Sequence, residues 1–380
     1  MPDALAQEIQ TDAAVVRRVE RALADLRRGE PVLLHEPGAA ALVLAAEQPG
    51  EEALARLRAL SGGEGLLLLT ARRAVALGMD TLGEGTTSGD TVAIEAAGVS
   101  ARGIIELADP TNSRHPRPIE PPRLAQAPGG LGPVAVDLVK LARLLPAAVL
   151  APLSPQDEDP AQWAAARDLL SLSANDTCEY RFAGARSLTR VAEAHLPLAG
   201  AETTRVISFR PGDGGKEHLA LVIGEPRPGE SLLLRLHSEC LTGDLLGSLR
   251  CDCGDQLRGA LDAIAAAGAG VLLYLSQEGR GIGLVNKLRA YQLQDRGADT
   301  AEANEQLGFD ADERLYLPAA NMLRQLGFHR VRLLTNNPAK VAGLIHCGIT
   351  VEERVPHAFP SNGHNDFYLA TKAARFGHQF

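Results

Sequence analysis

Three of the five cysteines in this 380-residue chain, Cys240, Cys251 and Cys253, fall in the stretch RLHSECLTGDLLGSLRCDCGDQ with the spacing Cys-x10-Cys-x-Cys. Clustered thiols without a secretory signal point to a metal before a disulfide. Three thiolates are one short of the closed set of a structural zinc, and three protein ligands with one open position is the catalytic arrangement. The long spacer lets Cys240, just after the apolar run SLLLRL, meet the Cys251/Cys253 pair in space. A plainer reading stands beside this one: buried thiols, or a structural site completed by a histidine such as His237. His237, Ser238, Glu239, Thr242 and Asp244 weigh against it, because a structural knuckle needs no proton donors and acceptors around its first thiol.

Further along, SQEGRGIG sets Glu278 among Gly279, Gly281 and Gly283, which permit close backbone approach. Arg280 beside it adds a fork suited to phosphate or base oxygens. Taken alone, the segment is equally a glycine-rich turn before a helix. TNNPAK opens a helix next to Lys340, which brings backbone N–H donors near a cation; a solvated lysine is the ordinary alternative. Asp312 and Arg314 in FDADERLYL read otherwise as an exposed ion pair at a helix start, and Tyr291 in RAYQLQD as helix packing. No GxxxxGK[ST] loop is present, so a P-loop nucleotide site is excluded.

These residues need a scaffold, and the chain is long enough for two domains, each with its own core. Aromatics are only 4% of residues against 45% hydrophobic, so the cores must be built mainly of Leu, Val and Ala. The formal net charge of −9 argues against a nucleic-acid surface, though not against a local basic pocket for one nucleotide. No apolar run reaches the length of a membrane span, and the N-terminus carries acids early without an apolar core. The chain therefore reads as cytoplasmic, with Cys178 and Cys347 as ordinary reduced thiols.

In chain order, Val15, Val16, Val19, Ala22, Leu23 and Leu26 have helical spacing, with Thr11 or Asp12 as N-cap. EPVLLHE, AALVLAAE and GLLLLT read as strands, with a helix at EEALARLRAL. The proline-rich RHPRPIEPPRLAQAPGGLGP reads as a long surface loop, and VAVDLVKLARLLPAAVLAPL as a helix leading into a strand. SLSANDTCEYRFAGARSLTRVAEAHLP holds a helix end, turn residues and a fresh start, which places the domains at 1–185 and 186–380. In the second half TRVISFR, EHLALVIGE, GVLLYLS and HRVRLL read as strands. DQLRGALDAIAAAG, GIGLVNKLRAYQLQDRG, LYLPAANMLRQLGF and PAKVAGLIHCG read as helices. The fold class is mixed α/β in both domains.

HSECLTGD, SLRCDCG, QEGRGIGL, NKLRAYQLQDRGADT, DER, RLLTNNPAK and YLATKAARFGH stand in an order that resembles GTP cyclohydrolase II. The resemblance covers nearly the whole second half. It implies hydrolysis of GTP to 2,5-diamino-6-(5-phosphoribosylamino)pyrimidin-4-one, formate and pyrophosphate, in riboflavin biosynthesis. It also implies one zinc per subunit on Cys240, Cys251 and Cys253, magnesium on the phosphates, and a homodimer. By the same resemblance Glu278 reads guanine N1–H and the 2-amino group, with Gly279 and Arg280 beside it. Arg235, Leu236, His237, Ser238, Glu239, Gln256, Thr300, Thr335 and Lys340 then contact the nucleotide. Asp312 is implied as general base and Arg314 as the group acting at the α-phosphate, where electrostatic stabilisation suits a guanidinium better than covalent attack. Tyr291 is implied in ring opening and formate release.

RRGEPVLL, LVLAAE, VSARGIIELADP and VDLVKLARLLPAAVL resemble 3,4-dihydroxy-2-butanone 4-phosphate synthase. That family carries an acidic, magnesium-holding loop after its GEPV strand; here HEPGAAALVL keeps only Glu36. A hard cation needs several oxygen ligands. The family's His-Thr-Glu motif is also missing near GGLGPVAVDL, and His115 and Glu36 are at most remnants. The first domain is thus expected to share the fold and to lack the reaction. Alternatives are a bifunctional enzyme that retains synthase activity and a GTP-binding regulator without catalysis; a zinc-dependent nucleic-acid binder fits the charge poorly.

Overall fold

The computed structural model describes residues 12–79, 91–112, 124–153 and 158–378. The chain divides into a first unit, Met1–Phe182 with Val285–Ala298 and Glu302–Asp312, and a second, Ala183–Leu284 with Asp299–Ala301 and Glu313–Phe380. Two stretches from the second half of the sequence therefore pack as part of the first unit.

The first unit runs α1 (Ala13–Arg27), β1 (Val32–Glu36), β2 (Ala39–Ala45), α2 (Glu51–Ser61), β3 (Leu66–Thr70), α3 (Ala71–Ala76), β4 (Thr91–Glu95) and α4 (Ala101–Ala108). It continues through β5 (Leu124–Ala125), α5 (Leu131–Leu141), β6 (Ala147–Pro152), α6 (Pro160–Ala165), β7 (Ser171–Ser173) and α7 (Ala174–Arg186). The strand order is β5-β4-β3-β6-β2-β1-β7, and every pairing is antiparallel except β1 with β7. Successive strand residues face opposite sides. Val32 and Leu34 pack under α1 and α5, whereas Leu33 packs under α2, α4 and α6. Both faces are covered, which is why these strands read as unbroken apolar runs.

Asp12 caps α1 by accepting from the Ala14 N–H at 2.9 Å; the other candidate cap, Thr11, lies outside the described residues, as does His115. The proline-rich loop is shorter than its composition suggests. Residues 113–123 lie outside the description, and α5 already begins at Leu131, with Pro133 in the first turn where its missing N–H costs little. The stretch read as the domain boundary contains the helix α7, and the division between the two units after Phe182 falls within it. A reciprocal capping box starts it: Asp176 N–H donates to Ser173 Oγ at 3.1 Å, and Ser173 N–H to Asp176 Oδ2 at 3.4 Å.

The second unit holds β8 (Thr189–His195), β9 (Arg205–Arg210), β10 (His218–Ile223), β11 (Leu232–Ser238), α8 (Cys253–Ala266) and β12 (Gly270–Leu275). After α9 (Leu284–Gln294) and α10 (Thr300–Gln306), which lie largely with the first unit, come α11 (Leu317–Gln325), β13 (Arg330–Leu334), α12 (Pro338–His346), β14 (Thr350–Val355) and α13 (Asp366–Phe376). The strand order is β14-β13-β11-β12-β10-β9-β8. β14, β13, β11 and β12 are parallel, and β10, β9 and β8 extend the sheet antiparallel. Leu234, Leu236, Val271 and Leu273 pack with α11 and α12, while Leu233 and Leu272 pack with α8 on the other face.

From β11 the chain crosses to β12 on one side, and from β13 it crosses to β14 on the other. The carboxyl ends of neighbouring β11 and β13 thus flank a switch in direction, the place where open α/β sheets bind ligands.

Candidate metal and nucleotide site

β11 delivers Arg235, Leu236, His237 and Ser238 to that switch point and then Cys240. A short π-helical turn, Leu241–Leu245, sends the chain out, and it returns with Cys251 and with Cys253 at the start of α8. The ligand atoms of Cys240, Cys251 and Cys253 all lie within 4.8 Å of one another, and the Cys240 and Cys251 sulfurs are 3.8 Å apart. Among the described residues this is the one such group of potential metal ligands. The cradle is fitted around the sulfurs: a Cβ on Gly243 would stand 2.7 Å from the Cys251 sulfur and 3.1 Å from that of Cys240. Hydrogen bonding to Cys240 and burial push the Cys251 thiol up to about 11, and Cys253 is raised for the same reasons. Thiols that crowd one another in this way suit a soft dication, which takes all three as thiolates.

Asp244 orders the same loop. Its carboxylate lies 3.0 Å from His237 Nε2, accepts the Cys240 N–H at 3.0 Å and accepts the Tyr274 hydroxyl at 2.9 Å. His237 stacks on Tyr274 with ring centroids 5.5 Å apart. Burial, then the charges of Arg235 and Lys340, pulls the His237 imidazole below its ordinary range despite Asp244. The histidine is therefore committed to Asp244 and stands outside the ligand group, which leaves the thiols as a set of three.

Across the switch point, buried Arg235 donates to the Leu334 carbonyl at the end of β13 at 2.9 Å and to Gln256 Oε1 on α8 at 2.6 Å. Its Nε is buried without a hydrogen-bond partner in the protein. Lys340, in the first turn of α12, donates to the Leu236 carbonyl at 2.7 Å. Thr335 is buried with its hydroxyl accepting the Asn337 N–H at 3.0 Å. Burial brings the Arg235 guanidinium down to about 10, with Arg314 acting the same way and Asp252 opposing, so it stays charged at neutral pH. His378 is pulled down to about 3 by burial and by Lys372, Arg280, Lys340 and Arg314. A concentration of cations this strong inside an acidic protein is a site for an anion.

Glu278 and the glycines form a strained turn. Gly279 and Arg280 both adopt left-handed backbone, with φ of 61° and 62°. Such a conformation is unfavourable for arginine and gathers at functional sites. A Cβ on Gly281 would approach the Glu313 carbonyl oxygen to 2.9 Å. The Glu278 carboxylate accepts the Leu241 N–H at 2.7 Å and the Gly279 N–H at 3.0 Å, which ties this turn to the thiol loop. The Arg280 guanidinium lies 3.7 Å from the centroid of the Phe376 ring.

The remaining residues singled out from the sequence fall as follows. The Leu236 side chain is core and only its carbonyl faces the crevice. Glu239 pairs with Lys216 at 3.5 Å, and Thr300 opens α10. Tyr291 and Asp312 lie on the stretches grouped with the first unit, where Lys287 Nζ stands 5.8 Å from the Tyr291 ring centroid. Sequence reasoning passed over Asp252, His357 and Lys372. Asp252 was visible inside CDCG, and Lys372 and His378 inside the closing YLATKAARFGH; what was missing was the pairing that the fold creates.

Three clustered cysteines that could hold a metal ion, beside buried cations at the carboxyl ends of parallel strands, define an α/β enzyme-type site. Residues 189–356 match the family model described as GTP cyclohydrolase II. The GTP cyclohydrolase-2 of Azospirillum brasilense is 54% identical over 374 residues, covering 97% of this chain and 95% of that protein. That of Xylella fastidiosa is 38% identical over 366 residues, covering 95% and 87%. The chain belongs to the GTP cyclohydrolase II family and is an enzyme. The GTP cyclohydrolase-2 of Pseudomonas paraeruginosa is 58% identical over 192 residues, half of this chain but 93% of that protein. Among solved structures, a two-domain 3,4-dihydroxy-2-butanone 4-phosphate synthase from A. baumannii aligns over 90% of this chain and all of its own, at 22% identity and a TM-score of 0.36.

Proposed function

We propose that the chain hydrolyses GTP to 2,5-diamino-6-(5-phospho-D-ribosylamino)pyrimidin-4(3H)-one, formate and pyrophosphate, as a zinc-dependent step of riboflavin biosynthesis in the cytoplasm, and acts as a homodimer. The observation that carries this reading is the three-thiol group with the cations Arg235, Lys340 and Arg314 ranged beside it. Cys240, Cys251 and Cys253 would hold the zinc, which would supply Lewis acidity and lower the pKa of water toward neutrality.

The protein groups supply the rest. Glu278 accepts from guanine N1–H and the 2-amino group, and the Gly279–Arg280 backbone brings the base edge close. Arg235, Lys340, Gln256, Thr335 and Thr300, with the Arg235–Glu239 backbone, would hold the ribose triphosphate, whose charge magnesium would help to offset. Asp312 serves as general base. Arg314 stabilises charge as the α–β phosphoanhydride breaks. Tyr291 assists ring opening and loss of formate.

The same reading leaves the first unit without synthase chemistry. β1 and β2 are joined by the two-residue turn Pro37–Gly38, so no loop remains to present carboxylates. Glu36 is already used: it accepts the Gly130 N–H at 2.7 Å at the start of α5.

The test is formate release from GTP by zinc-replete protein with magnesium, with Cys251→Ser run beside it. Zinc-dependent formate together with the diaminopyrimidine product supports the proposal. Binding of GTP without formate or pyrophosphate would replace it with a regulatory role.

A further inference from the structure

Helix α13, Asp366–Phe376, lies beyond residue 356, where the match to the family model ends. Tyr368, Lys372 and Phe376 are spaced four apart and so share one face of this helix. That face meets the site. Lys372 is 6% exposed, and its Nζ lies 2.5 Å from Oδ1 of Asp252, itself 1% exposed between Cys251 and Cys253. Lys372 also lies 4.3 Å from the Tyr368 ring centroid, and Phe376 carries the Arg280 guanidinium. A buried ammonium is costly unless its pairing is complete, so this lysine is an expensive way merely to fasten a helix.

The pairing continues inward. The second Asp252 oxygen accepts from Gln256 Nε2 at 2.6 Å, and Gln256 Oε1 accepts from Arg235 at 2.6 Å. The amide orientation is fixed by chemistry, because the carboxylate can only accept and the guanidinium can only donate. Lys372, Asp252, Gln256 and Arg235 thus form one directional chain from the C-terminal helix to the cation at the switch point.

We propose that Lys372 is a positioning residue for the phosphate arm of the nucleotide, acting through Asp252 and Gln256 to hold the Arg235 guanidinium in its binding orientation. This rests on the reading of Arg235 as a nucleotide contact. The experiment measures KM and kcat for GTP, competitive inhibition by inorganic pyrophosphate, and zinc stoichiometry for Lys372→Met, Lys372→Arg and Arg235→Met. Lys372→Met is expected to raise both KM and the pyrophosphate inhibition constant at least about tenfold, the scale of a lost charge-assisted contact. Its kcat should change far less, its zinc content should stay at the parent level, and Lys372→Arg should recover most of the affinity.

If Lys372→Met fails to fold because Asp252 is left charged and buried, the double variant Lys372→Met/Asp252→Asn removes both charges and keeps an acceptor for Gln256. It should show the same rise in KM. An unchanged KM in a folded variant, or a loss of activity that tracks loss of zinc, overturns the proposal. If Arg235→Met also leaves KM unchanged, the nucleotide reading itself fails; if Arg235→Met raises KM and the Lys372 variants do not, only the positioning role does.

Discussion

His237 Nε2 lies 3.0 Å from both carboxylate oxygens of Asp244, and the same carboxylate holds the Cys240 backbone N–H at 3.0 Å. One acid thereby fixes a neutral histidine, a tyrosine hydroxyl and the first thiol of the metal group. Outer groups of this kind orient metal ligands, and their loss typically weakens metal binding about 10- to 100-fold. Asp244→Ala is expected to lower zinc affinity on that scale, measured by competition with a chromogenic chelator. It should also reduce stability by about 1–3 kcal/mol, because buried polar partners are left unmatched.

Gly243→Ala tests the cradle itself. The added methyl would stand 2.7 Å from the Cys251 sulfur and 2.9 Å from Cys253 Cβ, contacts that require the loop to move. Zinc stoichiometry should fall while the far-UV circular dichroism is retained, since the sheet beneath is untouched. Parent-level zinc binding in this variant would show that the three thiols close around the ion in a different arrangement.

The thiol group was legible in the sequence because residue type and spacing alone constrain it: three cysteines, a long excursion and an immediate return. Strand β12 was equally plain, since burial on both faces writes it as an apolar run, and β13 was legible from the alternation of exposed Arg330 and Arg332 with buried Val331 and Leu333. Partnership was not. His237 stood as the alternative ligand that the surrounding residues weighed against, and its pairing with Asp244 on the π-helical turn appears only in the fold. Lys372 and Asp252 are separated by 120 positions, so their pairing exists only once the chain has folded. Nor does an amphipathic helix name what it packs against; α9 was read correctly as a helix, yet most of it belongs to the first unit. Of α7 only a helix end was read, because its two capping residues, Ser173 and Asp176, also fit a turn.

Arg289 accounts for part of the hold on α9. Its guanidinium lies 3.1 Å from both Glu47 and Asp109, carboxylates whose side chains are only 7% and 4% exposed. Arg289→Met is expected to destabilise the protein by about 3–5 kcal/mol, the cost of leaving buried charges uncompensated. Adding Glu47→Gln and Asp109→Asn should return much of that loss. Denaturant titration of the three proteins, compared at constant m-value, measures both effects.

His357 gives the stability of the second unit a direction in pH. Its Nε2 lies 2.8 Å from the Gln256 carbonyl, and its backbone pairs on both sides with Asn336 at 2.8 and 2.9 Å. Burial, then Arg235, brings the imidazole down to about 4, with Lys340 and His237 adding to it, while the Gln256 bond opposes. In the unfolded chain the ring titrates near its ordinary value of about 6.5. Between those values the unfolded state binds a proton that the folded state refuses, so stability is full above about pH 6.5 and falls as pH drops toward 4. The loss from this residue is on the order of 3 kcal/mol across that window. His237 and His378 are shifted in the same direction and add to the slope. His357→Gln, which can still donate to the Gln256 carbonyl, should therefore reduce the dependence of unfolding free energy on pH between 4 and 6.5 without abolishing it. An unchanged slope would mean that His357 takes up its proton in the folded protein as readily as in the unfolded chain.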